Sequence, residues 1–177
     1  NYARNELNIE VWNASHKGSL DKGRHFIQWG NSIELTRIND NLKQWEYQDS
    51  AGYSLPYNPS GLQLFSSLNN TANLDIQKYS GYIQDNIHFL KAKNDITLQV
   101  GLRYNYNSLN KEFLISPRIQ ASWKTKKKKD IVFKTAAGFY NQPPFYRELR
   151  KYDGSLNTHI LAQKSVQFIA GMDYNFT

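Results

Sequence analysis

Histidine is the side chain that most readily holds a metal or shuttles a proton, and the four in this chain, His16, His25, His88 and His159, stand far apart without any ligand spacing. The absence of cysteine excludes thiolate zinc sites, cysteine nucleophiles and disulfide scaffolds together. No G-x-S-x-G elbow occurs, and no glycine-rich phosphate loop follows a strand. The expectation is a protein that is not an enzyme and needs neither metal nor cofactor. Recognition chemistry is better represented. The stretch "QPPFYRELRK" sets Phe145, Tyr146, Arg147 and Arg150 close together, and a Gly, Pro, Ser and Asn-rich stretch over residues 49–73 carries Tyr53, Tyr57 and Phe65. Aromatic faces stack on a sugar or a chelate, and guanidinium groups pair with carboxylate or phosphate. These seven residues are the candidate contacts to a small-molecule or glycan ligand. The competing reading is that they pack the loops together, with Glu148 taking an arginine.

The formal net charge of +7 raises a second kind of partner, nucleic acid. Five of the 22 Lys and Arg residues, however, fall in "KTKKKK" between two alternating segments, where a charge run serves as a solvated turn. No nucleic-acid partner is expected.

The elements that must position the candidate residues are strands. In "ITLQVGLRYNY", residues 96–106, Ile96, Leu98, Val100, Leu102, Tyr104 and Tyr106 alternate with Thr97, Gln99, Gly101, Arg103 and Asn105, which puts one set on each face of a strand. Strands of soluble proteins usually run to about five or six residues, whereas a tilted strand crossing a bilayer needs roughly 9–11. Seven such segments are legible. They begin at "NELNIEVWNASH", continue through "RHFIQWGNSIELTRINDNLKQWEYQ", where Asn31 interrupts the in-phase series Ile27, Trp29, Ile33 and Leu35, and include Leu74–Leu90, residues 96–106, "ISPRIQASWK" and "DIVFKTAAGFY". The last is "SVQFIAGMDYNF". In the third, Asp85 shares a face with Tyr79, Ile83, Ile87 and Phe89, so either a bulge resets the phase or Asp85 lies below the apolar band.

The connections predicted between these segments lie at 17–23, 49–73, 91–94, 108–114, 125–129 and 141–162, and both long ones fall at the same end of an up-and-down meander. In the last of them Pro144 is placed to open a short helix as far as Arg150. Short turns at one end and long loops at the other are the pattern of an outer-membrane barrel. Tyr104, Tyr106, Phe139 and Tyr140 would form one aromatic belt, and Trp12, Phe89 and Trp123 the opposite one. Arg103, Arg118, Lys134 and Asp173 fall on the other face, where a soluble core would make unpaired charges costly and a wet lumen would not. The expected fold is therefore all-β, an antiparallel up-and-down transmembrane β-barrel touching outer-membrane lipid. Seven strands are an odd number, and single-chain bacterial barrels close with an even one. The chain is expected to be an incomplete section.

Four stretches, "SGYIQDNIHF", "LNKEFLISPRIQ", "DIVFKTAAGFYNQPPFYRELR" and "AQKSVQFIAGMDYNF", resemble in this order the barrel of TonB-dependent outer-membrane receptors of the Bacteroidota type. The resemblance runs from residue 24 onward and is most specific at Gln-Pro-Pro-Phe-Tyr-Arg-Glu. It implies a barrel of about 22 strands around an N-terminal plug. It further implies import of a scarce nutrient, an iron chelate, a cobalamin or an oligosaccharide, driven through the TonB complex, with a surface lipoprotein as a further expected partner. Residues 1–177 would then be one barrel segment in the bacterial outer membrane, without plug or TonB-binding segment. The alternative is a passive or structural barrel or adhesin, closed by an eighth strand concealed in the weak third segment.

Overall fold

The structure is a computed structural model and describes residues 2–48, 63–91, 94–125 and 131–174. Its strands are β1 (Tyr2–Lys22), β2 (His25–Gln48), β3 (Gln63–Lys91), β4 (Asn94–Asn107), β5 (Glu112–Thr125), β6 (Ile131–Gln142) and β7 (Gln163–Tyr174). One turn of 3-10 helix spans Tyr146–Leu149, so the short helix expected from Pro144 forms in part. The strands make one sheet in the order β1-β2-β3-β4-β5-β6-β7, an antiparallel meander with β1 and β7 at its edges. The all-β barrel section expected from alternation is what the chain forms. No helix among the described residues is long and apolar enough to cross a membrane.

The largest differences from the sequence reading are at two boundaries. β1 continues to Lys22 and turns only at Gly23, whose φ of 65° is easy for glycine and costly for other residues. Trp12 is consequently mid-strand rather than at the turn. The second difference is larger. Residues 63–73, expected in a long loop, belong to β3, and Phe65 with them.

The chain divides into two compact units, to which β1, β2 and β3 each contribute. The first gathers Asn13–Glu34, Gln77–Pro144 and Leu161–Thr177. Its ladders run without a bulge from Lys78↔Asn107 to Lys91↔Asn94 between β3 and β4, and from Asn94↔Thr125 to Asn107↔Glu112 between β4 and β5. Opposed residues share a face, so Ile83, Leu102, Ile115, Ile119, Phe133, Val166 and Phe168 all stand on one side. These side chains are exposed, Phe168 to 79%, and the only buried apolar residues described in this unit are Leu114 and Ala162. A sheet that leaves its large apolar side chains uncovered cannot be half of a water-soluble core; lipid must cover them.

Aromatic rings pack pairwise on the same face: Tyr79 with Tyr106 at 6.2 Å, Tyr104 with Phe113 at 6.1 Å, and, toward the opposite strand ends, Trp123 with Phe133 at 5.6 Å. Tyr140 does not belong to either belt. It follows Phe139 and so faces the other way, where its ring lies under the Arg118 guanidinium at 4.6 Å. Asn31, the polar interruption of the apolar series, stands on the apolar side by alternation and is satisfied there by the Tyr104 hydroxyl, which donates to its side-chain oxygen at 3.0 Å. The ring reaches over Gly81 to do so: a Cβ there would lie 2.6 Å from it.

Asp85 is a correction of another kind. The unbroken ladder pairs it with Val100, so there is no bulge, and it sits between Ile83 and Ile87 inside the apolar band. His25 Nδ1 lies 2.6 Å from its Oδ2, an ion pair when the imidazole is protonated. A carboxylate is tolerated on this face because it brings its partner from the neighbouring strand.

The second unit gathers Asn1–Trp12, Leu35–Ile76 and Phe145–Ile160. It has what the first lacks, a small core: Ile38, Leu42, Ile76 and Leu149 are each exposed to 6% or less. At 21, 24 and 29 residues, β1, β2 and β3 are well beyond the roughly 9–11 residues a crossing requires.

Candidate ligand-facing surfaces

In the first unit, the face opposite the apolar one carries Gln84, Gln99, Arg103, Arg118, Gln120, Lys134 and Asp173, as the ladders require. All four charged residues expected in the lumen stand there. Lys134 and Asp173 form an ion pair across β6 and β7. Lys78 and Glu34 pair at 2.8 Å, and Gln84 donates to Gln28 at 2.6 Å. Glu112 fastens the start of the last strand by accepting from the Ala162 backbone N–H at 2.8 Å while Lys164 lies 3.5 Å away. Between these pairs the wall is hollowed by about 350 Å³ beside Gly101, Ser116 and the Tyr82 ring, with Lys17, Arg103 and Arg118 around it.

In the second unit, the connection after β6 forms a strap. Phe145 N–H donates to the Glu148 carboxylate at 2.9 Å, which closes the single helical turn. Asp40, exposed only to 4%, accepts from the Tyr146 hydroxyl and pairs with Arg150. Arg150 also lies over the Tyr146 ring at 5.9 Å. Burial raises the Tyr146 pKa above its ordinary value. Leu149 fills the core beneath, and Asn70 of β3 donates to the Gly154 carbonyl. Further along the strap the Ser155 hydroxyl and N–H hold the Asp153 carboxyl below its usual range.

Of the seven recognition candidates, Tyr146 and Arg150 are thus turned toward Asp40, while Phe145 and Arg147 remain exposed. Glu148 caps the turn instead of taking an arginine. Phe65 is exposed on β3, on the face opposite Ser66. Tyr53 and Tyr57 lie outside the described residues. A hollow of about 480 Å³ in this unit is lined by Tyr2, Trp45, Glu46, Ser66 and Tyr152 among others, none of which the sequence singled out. Their signal was position: Trp45 and Glu46 stand near the end of β2, at the long-connection end of the meander.

One face for hydrocarbon and one for water, long connections gathered at one end and seven strands in sequential order define the wall of an outer-membrane β-barrel. The family model for the TonB-dependent receptor-like β-barrel matches residues 1–176. The chain belongs to that family, one of outer-membrane transport proteins. No curated protein and no solved structure matched it.

Proposed function

We propose that this chain forms part of the wall and surface of an importer that captures a small-molecule or glycan ligand outside the cell and draws it inward with energy relayed by the TonB complex. The observation that supports this most is the strap. It is held by a buried ion pair and presents Phe145 and Arg147 on its exposed side. A rigid strap with free recognition groups suits ligand capture, because little further ordering is required on binding. The hollow lined by Tyr2, Trp45, Glu46 and Tyr152 supplies stacking surface and acceptors in the same unit, as a glycan or a chelate would require. Tyr53, Tyr57 and Phe65 are proposed as further contacts, and a surface lipoprotein as a partner that hands ligand over.

The test is accumulation of labelled ferric chelates, cobalamin and oligosaccharides by cells carrying the full-length protein. Uptake of one class that stops when TonB is deleted or the proton gradient is collapsed is the expected result. Entry at the same rate without TonB would identify a passive barrel instead.

A further inference from the structure

We infer that the 350 Å³ hollow in the wall of the first unit is a binding site for a multiply anionic solute, its carboxylate or phosphate groups held by Arg103, Arg118 and Lys17. This names a substrate class and rests on the import reading. Other cations of this face are already answered: Lys78 by Glu34 and Lys134 by Asp173. Lys17 and Arg103 have no side-chain partner among the described residues, and Arg118 has only the Tyr140 ring. Among the described residues, no carboxylate lines the hollow.

The spacing selects the ligand. Arg103 opposes Ser116 and Gly101 opposes Arg118, so the two arginines rise from diagonal positions on one face, about 7–8 Å apart. A single anionic group can be reached by both planar guanidinium forks. Lys17 stands on β1, three strands from β4, which at the usual strand spacing is about 14 Å away. A lone small anion cannot span that distance; a solute with two or more separated charges can. The floor permits the approach where Gly101 carries no side chain and Ser116 a small one, while the Tyr82 ring takes the place of a side chain at Gly30. The volume lies at the low end of small-molecule sites, which run to roughly 300–1,000 Å³.

The experiment is calorimetric titration of the full-length protein in detergent with citrate in one arm, inorganic pyrophosphate in another and sucrose as the neutral comparator, at low and high ionic strength. Saturable binding of citrate or pyrophosphate is expected, weakened by salt. Arg103→Gln and Arg118→Gln should each weaken it roughly tenfold, and Lys17→Gln less, while heat-modifiable gel mobility shows that each variant is folded. Which anion binds distinguishes carboxylate from phosphate chemistry. Failure of both anions to bind would overturn the inference. So would variants that lose thermal stability at unchanged anion affinity, because the cations would then be answered by the protein's own carboxylates. Anion binding without TonB-dependent uptake would defeat the import reading and leave the site standing; TonB-dependent uptake of a neutral ligand with no anion binding would do the reverse.

Discussion

In the unit built on Gln77–Pro144 the sheet keeps its large apolar side chains uncovered on one face and its charges on the other, whereas the unit containing Leu35–Ile76 and Phe145–Ile160 buries Ile38, Leu42, Ile76 and Leu149 beneath a strap of its own. The alternating pattern is common to both. What differs is the medium: the first depends on lipid to cover what the chain leaves bare, and the second covers itself. A charge on the lipid face of the first must be answered from the neighbouring strand, as His25 answers Asp85. In the second, Arg37 of β2 answers Asp75 of β3 in the same way, but the buried Asp40 is answered by Arg150 of the strap. The two should therefore fail separately when their charges are disturbed.

Arg150→Ala should give the largest effect. It leaves Asp40 buried with only the Tyr146 hydroxyl, and breaking a buried pair costs about 3–5 kcal/mol. The loss should stay local. Limited proteolysis within residues 143–162 is expected to accelerate while heat-modifiable mobility of the barrel is unchanged; a barrel that unfolds with the strap would erase the distinction between the units. Ile119→Arg comes next. It puts a cation on the lipid face and should cost about 2–4 kcal/mol if it lies near the midplane, seen as poor membrane assembly, whereas Gln99→Arg on the wet face should be tolerated. Equal damage from both would count against the assignment of faces. Val100→Arg sharpens the test, because Val100 opposes Asp85 and the new guanidinium would find a carboxylate beside it. It should be milder than Ile119→Arg, and the difference should shrink when Asp85→Asn is added.

The faces were legible because period two belongs to each strand and needs no knowledge of its partners. Strand ends were not. Gly18 reads as a turn residue, yet a Cβ there would meet the Trp29 ring at 2.4 Å: it is glycine so that the indole can lie against β1. Residues 63–73 read as loop because polar side chains dominate, but Ser66 donates to Glu46 and Asn70 to the Gly154 carbonyl, contacts that a strand outside the hydrocarbon can make and a sequence cannot display. Asp85 looked like a fault in the pattern since its partner His25 is 60 positions away. The strap was visible as a recognition stretch, while its anchor Asp40 on β2 was not. The hollow of the first unit was half legible: Arg103 and Arg118 fall on the wet face by alternation, and Lys17, on a strand expected to stop short of it, does not.

Two smaller tests probe how tightly each unit is fitted. Gly81→Ala would set a Cβ 2.5 Å from the Asn31 side-chain oxygen and 2.9 Å from the Gly30 carbonyl oxygen, which is backbone and cannot swing away. Overpacking of this kind costs about 1–3 kcal/mol and should lower the temperature at which the barrel loses its compact mobility. The effect expected to be smallest concerns Tyr146, whose pKa burial raises in the docked strap. A group with a raised folded value contributes its stability fully below its free pKa, about 10, and loses that contribution as pH rises through the folded value. Ionisation would also set a phenolate against Asp40, to which the hydroxyl now donates. Proteolysis of residues 143–162 should thus quicken over the interval from about pH 10 upward. Tyr146→Phe removes the ionising group, so its cleavage rate should be higher at pH 9 and flat across that interval; a rise as steep as that of the parent would place the alkaline sensitivity elsewhere.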